Sequence, residues 1–110
     1  MIVFEIAWGG HEDMEWSLCG FDNPTFEQLR LDLLTAGVVS ADDHSDGLRL
    51  VDLEPSLDRI VEESRVRRAL SVLHHLPRCT TLDERIEDGF RQFLSLAALH
   101  GGYTLVRGGA

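Results

Sequence analysis

The opening residues alternate in a way that admits few folds. Ile2, Phe4, Ile6 and Trp8 are separated by Val3, Glu5 and Ala7, the two-residue period of a strand with one face buried. After Gly9-Gly10-His11-Glu12-Asp13 the period resumes with Met14, Trp16 and Leu18. A hairpin that sets Trp8 opposite Met14 also sets Ile6 against Trp16 and Phe4 against Leu18, all on one face. The other face then receives Ala7 with Glu15, Glu5 with Ser17 and Val3 with Cys19. A slip of one residue would turn every side chain to the wrong side, so the pattern predicts both the hairpin and its register.

Downstream the period changes. Residues 25–36 read as a helix, with Asp22-Asn23-Pro24 leading in and Thr25 and Gln28 forming a capping box. Phe26, Leu29 and Leu33 share one side with Leu34 beside them, and Gly37 is placed to end the helix. Ser40–Gly47 is a polar loop, and Leu48–Leu53 reads as a strand. Glu54-Pro55-Ser56 opens a long helix to about Leu76, carried by Leu57, Ile60, Val61, Ser64, Leu70 and Leu73 and stopped by Pro77. A second long helix starts at Thr81, with Glu84 completing a capping box. Its stripe is Leu82, Ile86, Phe90, Phe93 and Ala97, Glu87 and Arg91 stand in the favourable i,i+4 order, and Gly101-Gly102 ends it. Tyr103–Arg107 is a closing strand. The order β-β-α-β-α-α-β over residues 1–110 predicts one small α+β domain. The N-terminal hairpin belongs to a four-stranded sheet, with helices packed on one face.

The charge is unevenly spread along this framework. Residues 1–58 hold thirteen acids against Arg30 and Arg49, a formal −11, whereas residues 59–110 hold eight arginines against six acids, +2, which together make the net −9. Such a field repels nucleic acid and attracts basic surfaces. Cys19 and Cys79 are too few and too far apart for a disulfide framework and read as small buried apolar residues. The segment MIVFEIAW has no basic leader and no apolar run is long enough to span a bilayer, so a cytoplasmic protein with no membrane contact is expected.

Candidate chemistry is sparse. Asp42, Asp46 and Gly47 fall where a calcium loop would have them, but its twelfth position is Leu53 where a bidentate carboxylate belongs. His11, Glu12, Asp13 and Glu15 cluster at the hairpin tip, and His74, His75 and Cys79 straddle a helix end. Neither group supplies three or four converging ligands by itself, so no metal and no cofactor is expected. No serine sits in a nucleophile elbow and no glycine-rich loop joins a strand to a helix, so no catalytic residues are assigned and the chain is read as a non-enzyme. Arg65, Arg67 and Arg68 invite a nucleic-acid reading, against which stands the acidic field of the whole chain, and direct nucleic-acid binding is not expected.

The acidic half is the stronger lead. Glu12, Asp13, Glu15, Asp22, Asp42, Asp43 and Asp46 form a candidate partner-binding set, with Trp16 as an aromatic anchor. The helix around Phe26–Leu34 followed by Leu48–Leu53, and the closing helix–strand pair ending GGYTLVR, give the chain a loose similarity of pattern to barstar-type ribonuclease inhibitors, although MEWSLCGF is strand-like where that family has a helix. The resemblance implies a small acidic domain that plugs a basic active site. The expected function is therefore that of an inhibitor, an immunity protein or a phage-type antagonist acting on a basic protein such as a nuclease. Two alternatives stand beside it. One is a structural or adaptor subunit, or a homodimer, that uses apolar helix surface at Leu31, Leu96 and Leu99. The other is a small enzyme or ligand-binding domain with a carboxylate–histidine site.

Overall fold

Among the described residues, six strands and three helices appear in the order β1 Ile2–Ile6, β2 Leu18–Phe21, α1 Asn23–Thr35, β3 Val39–Ser40, β4 Leu48–Arg49, β5 Ser56–Val61, α2 Glu63–Leu73, α3 Glu84–Ala97 and β6 Tyr103–Arg107. The computed structural model describes residues 1–7 and 18–108, and for residues 56–58 the backbone alone. The fold is α+β, as expected. Its main sheet is antiparallel in the order β2-β1-β6-β5, and β3 and β4 form a separate parallel pair. Ile2, Phe4 and Ile6 turn to the helices, joined by Phe21, Val61, Tyr103 and Leu105. These pack on Phe26, Leu29 and Leu33 of α1, Val66, Ala69 and Leu73 of α2, and Phe90, Phe93, Leu94 and Ala97 of α3. Val3, Glu5, Thr104 and Val106 are half-buried on the opposite face.

The hairpin strands form, but their register is one residue away from the expected one. Phe4 pairs with Cys19 and Glu5 with Leu18, while Ile2 pairs with Phe21. The slip turns Phe21 into the core and leaves Leu18 53% exposed. The larger aromatic surface wins the buried face, since buried area scales with side-chain size. The proposed partners Trp8, Met14 and Trp16 lie outside the described residues.

Two further elements differ from expectation, each for a local reason. Leu48–Leu53 is a strand only over Leu48–Arg49 and then closes into a 3₁₀ turn over Leu50–Leu53. The Asp52 carboxylate accepts hydrogen bonds from the Arg49 backbone N–H at 2.8 Å and from the Arg49 guanidinium at 3.0 Å, so a side chain takes a donor that a longer strand would need. The fourth strand of the sheet is instead Ser56–Val61, which the 57/60/61 spacing had assigned to a helix. Proline at position 55 suits entry to an edge strand, and Ile60 exposed beside buried Val61 shows the alternation of one. Helix α2 consequently begins at Glu63 and ends at Leu73, and it buries Val66 and Ala69, with Leu70 half-buried and Ser64 exposed.

Helix boundaries follow the carboxylates. Asp22, not Thr25, caps α1, its Oδ1 accepting from the Thr25 N–H at 2.9 Å. Asp83, not Thr81, caps α3. The α3 stripe turns slightly from the expected one, so Ile86 is 39% exposed and Glu87 faces inward. Gly37, at φ +80°, ends α1 as its position predicts.

At the centre lies Phe4, whose ring stands 5.3–6.1 Å from those of Phe21, Phe26, Phe90, Phe93 and Tyr103. Phe4→Ala should cost about 3–5 kcal/mol in urea unfolding, the range for deleting a buried phenyl ring. Gly102 is equally constrained: at φ +95° its N–H donates to Ala97 O, its carbonyl accepts from Ala7 N–H, and an added Cβ would lie 1.8 Å from Val61 O. Gly102→Ala should therefore destabilise by roughly 3 kcal/mol or more. Stability within about 1 kcal/mol of the parent would show that the α3–β6 turn is not built this way.

Candidate functional site

The acidic loop 41–47 is built between β3 and β4, whose parallel pairing sets Val39 against Leu48 and Ser40 against Arg49. Short polar side chains fold its backbone. Asp42 N–H donates to Ser40 Oγ at 3.0 Å, His44 N–H to Asp42 Oδ1 at 2.9 Å, and Gly47 N–H to Ser45 Oγ at 3.3 Å. Arginines then fasten the loop from behind. Arg65 of α2 donates to Ser45 O at 2.6 Å and Gly47 O at 2.9 Å, and Arg49 donates to Asp43 O at 3.2 Å. Arg68 pairs with Asp46 at 3.5 Å across exposed surface. The loop backbone is thus held by guanidinium groups while Asp42, Asp43 and Asp46 stay exposed.

These three acids are brought together, and Asp22 is not among them. It lies at the N-terminus of α1, whereas the loop follows from the C-terminal end of that helix, a 13-residue helix spanning about 20 Å. The Asp22 carboxyl is drawn below the usual range by its hydrogen bonds from Thr25, so it acts first as a helix cap. Glu12, Asp13, Glu15 and Trp16 lie outside the described residues, as does His11. His74 and His75 stack edge to face at 5.6 Å. Among the described residues, no group of three or more His, Cys, Asp or Glu side chains converges as metal ligands would. Cys19 and Cys79 are free thiols, half-buried against the core, and burial pushes Cys19 up to about 11. No described helix is long and apolar enough to cross a membrane.

Two carboxylates turn out to be buried: Asp52, which the sequence left unassigned, and Glu87, whose i,i+4 pairing with Arg91 forms as expected. Asp52 is 2% exposed and receives Arg49 together with Arg59 Nη2 at 2.8 Å, while its carbonyl accepts from the Tyr103 hydroxyl at 2.8 Å. Glu87 is 1% exposed and accepts from Thr80 N–H at 2.9 Å, from Thr80 Oγ1 at 2.6 Å and from Cys79 N–H at 3.3 Å. Arg91 meets Glu87 at 3.1 Å and also donates to Leu73 O and Leu76 O, which closes the C-terminus of α2. Asp32 completes the tie by accepting both the N–H and the hydroxyl of Thr81 at 2.9 Å. The signal for these roles was present as Arg–Asp at i,i+3 and Glu–Arg at i,i+4, but spacing alone does not distinguish a surface pair from a buried one.

Burial alone would raise the Glu87 carboxyl, yet the hydrogen bonds from Thr80 and Cys79 and the Arg91 charge outweigh it and hold the group below its usual 4.5. A carboxylate depressed in the folded state contributes its stability in full above the unfolded value and loses it as pH falls through the folded one. Glu87→Gln should cost about 2 kcal/mol or more at pH 7. The gap from the parent should narrow as pH drops below 4.5 in denaturant titrations. A gap constant down to pH 3 would contradict the assignment.

No protein-family model, curated protein or solved structure matches this chain. Of the first stretch behind the similarity to barstar-type inhibitors, the helix is present as α1, whereas Leu48–Leu53 is a strand only over Leu48–Arg49.

Proposed function

We propose that this chain is a non-enzymatic binding protein that covers a basic surface on a protein partner, of the kind found on nucleases and other nucleic-acid enzymes. The observation that supports this reading best is how the two signs of charge are spent. Several arginines are engaged within the protein: Arg49 and Arg59 on Asp52, Arg91 on Glu87, Arg65 and Arg67 on backbone carbonyls. Asp42 and Asp43 point to solvent from a loop that those arginines hold in shape. An exposed anionic loop with a fixed backbone has little conformational entropy to lose on docking, and its field steers a cationic partner toward it. Desolvated carboxylate–arginine pairs would then supply specificity. Arg65 and Arg67 donate to backbone carbonyls and Arg68 pairs with Asp46 on the surface, which weakens the nucleic-acid reading of the three.

A second reading has its own observation. Leu99 is 72% and Leu31 57% exposed, apolar surface that an assembly subunit or a homodimer would cover. Pull-down from the native host at two salt concentrations, followed by association kinetics with the captured protein, separates the two. Under the first reading, Asp42→Lys with Asp43→Lys slows association about tenfold at low salt, and the difference fades as salt shortens the Debye length to about 3 Å near 1 M. An unchanged on-rate at low salt would sink the acidic-loop reading, and concentration-dependent self-association of the isolated chain would favour the second.

A further inference from the structure

Between the N-terminal half of α1, residues 53–55 and the end of β6 lies a cleft of about 460 Å³, within the size range of small-molecule sites. Ile2, Phe26 and Leu53 lie beneath it, each 3% exposed or less, and half-buried Pro55 is the apolar residue that faces into it. Its rim carries Arg30 and Arg107 against Glu27 and Glu54, two charges of each sign, and the Asn23 amide. We propose that this cleft binds a free α-amino acid with an apolar side chain.

The rim charges are incompletely used by the protein itself. Arg30 reaches Glu27 only at 3.4 Å and Glu54 only at 4.0 Å, longer than the ~2.7–2.9 Å of a strong charge-assisted hydrogen bond. Its Nε–H is buried with no acceptor among the described residues. Arg107 is exposed and has no ion pair among the described residues. Glu27 and Glu54 remain 62% and 60% exposed, so both carboxylates can turn to a ligand.

Charge balance selects the occupant. A simple anion must approach against the field of a protein with net charge −9, and the rim acids cancel what the two arginines offer it. A simple cation is drawn equally to the exposed acids of the loop 41–47. A zwitterion experiences little net long-range force, yet its two charges are read separately at contact. The planar guanidinium of Arg107 matches an α-carboxylate, Glu54 and Glu27 accept the α-ammonium, and the side chain lies against Pro55, the half-buried apolar residue of the lining. The inference does not depend on the acidic loop or on any protein partner.

The test is a two-dimensional amide NMR titration of the full chain with L-phenylalanine, N-acetyl-L-phenylalanine and L-phenylalanine amide. L-phenylalanine should give saturable shifts at Phe26, Glu27 and Arg107 with a dissociation constant on the order of 1 mM, fitting for a ligand of this size. The acetylated form lacks the ammonium and the amide form lacks the carboxylate, so each should bind about tenfold more weakly or worse. Arg107→Gln, at the exposed end of a strand, should weaken L-phenylalanine to the level of the amide form while the dispersed spectrum shows an intact fold. Equal binding of all three compounds, binding of one analogue as tight as the parent amino acid, or no saturable shift at about ten times the expected constant would each overturn the proposal.

Discussion

Everything in this fold converges on the ring of Phe4. It is completely buried, and its aromatic neighbours come from β2, α1, α3 and β6, so one side chain joins four elements to the strand that carries it. Edge-to-face contacts with Phe21, Phe90 and Phe93 favour particular ring orientations as well as proximity. That requirement accounts for the hairpin register. With Phe4 opposite Leu18, the neighbouring pairs would have put Phe21 on the outer face and removed one ring from the cluster. With Phe4 opposite Cys19, Phe21 stacks edge-on at 5.7 Å, and Leu18 is the residue given up to solvent.

A second constraint is electrostatic and governs the connections rather than the core. Asp52 turns the chain between β4 and β5 by drawing in Arg49 and Arg59, and Tyr103 links that turn to β6 through the Asp52 carbonyl. Glu87 does the same for the α2–α3 connection through Thr80, Cys79 and Arg91. Buried carboxylates are stable only when their lone pairs are filled, and each of these accepts several donors. Two acids thus order two irregular segments, residues 50–55 between β4 and β5 and residues 74–83 between α2 and α3. The charge left at the surface reflects this use: Arg59, Arg65 and Arg91 of the C-terminal half serve as internal fasteners, and Asp42 and Asp43 of the N-terminal half stay exposed to solvent.

The sequence was legible where a pattern reports burial directly. The alternation at Ile2–Ile6, the α1 stripe of Phe26, Leu29 and Leu33, and the closing strand all reappear. It misled where one residue could satisfy two periods. Leu57, Ile60 and Val61 fit a helix by spacing, and only the sheet edge offered by β6 makes them a strand. Asp52 and Glu87 were hidden for a different reason, because a buried carboxylate looks like a solvated one until its donors are placed. Of the proposed acidic face, the loop trio Asp42, Asp43 and Asp46 is assembled by the fold, whereas Asp22 is committed to capping α1.

The two surfaces argued for above differ in how the protein treats its own charges, and that difference determines what each can recognise. In the loop 41–47 the guanidinium groups contact mainly backbone carbonyls, so the carboxylates keep their full charge and act at a distance. At the cleft beside α1 the signs are balanced and loosely paired, so the site has almost no far field and recognises charge only in contact. A long-range field suits a large, basic, fast-docking partner, whereas a balanced rim above an apolar floor suits a small neutral zwitterion. The two do not compete for the same ligand, because the interaction that draws one class to its surface is absent from the other.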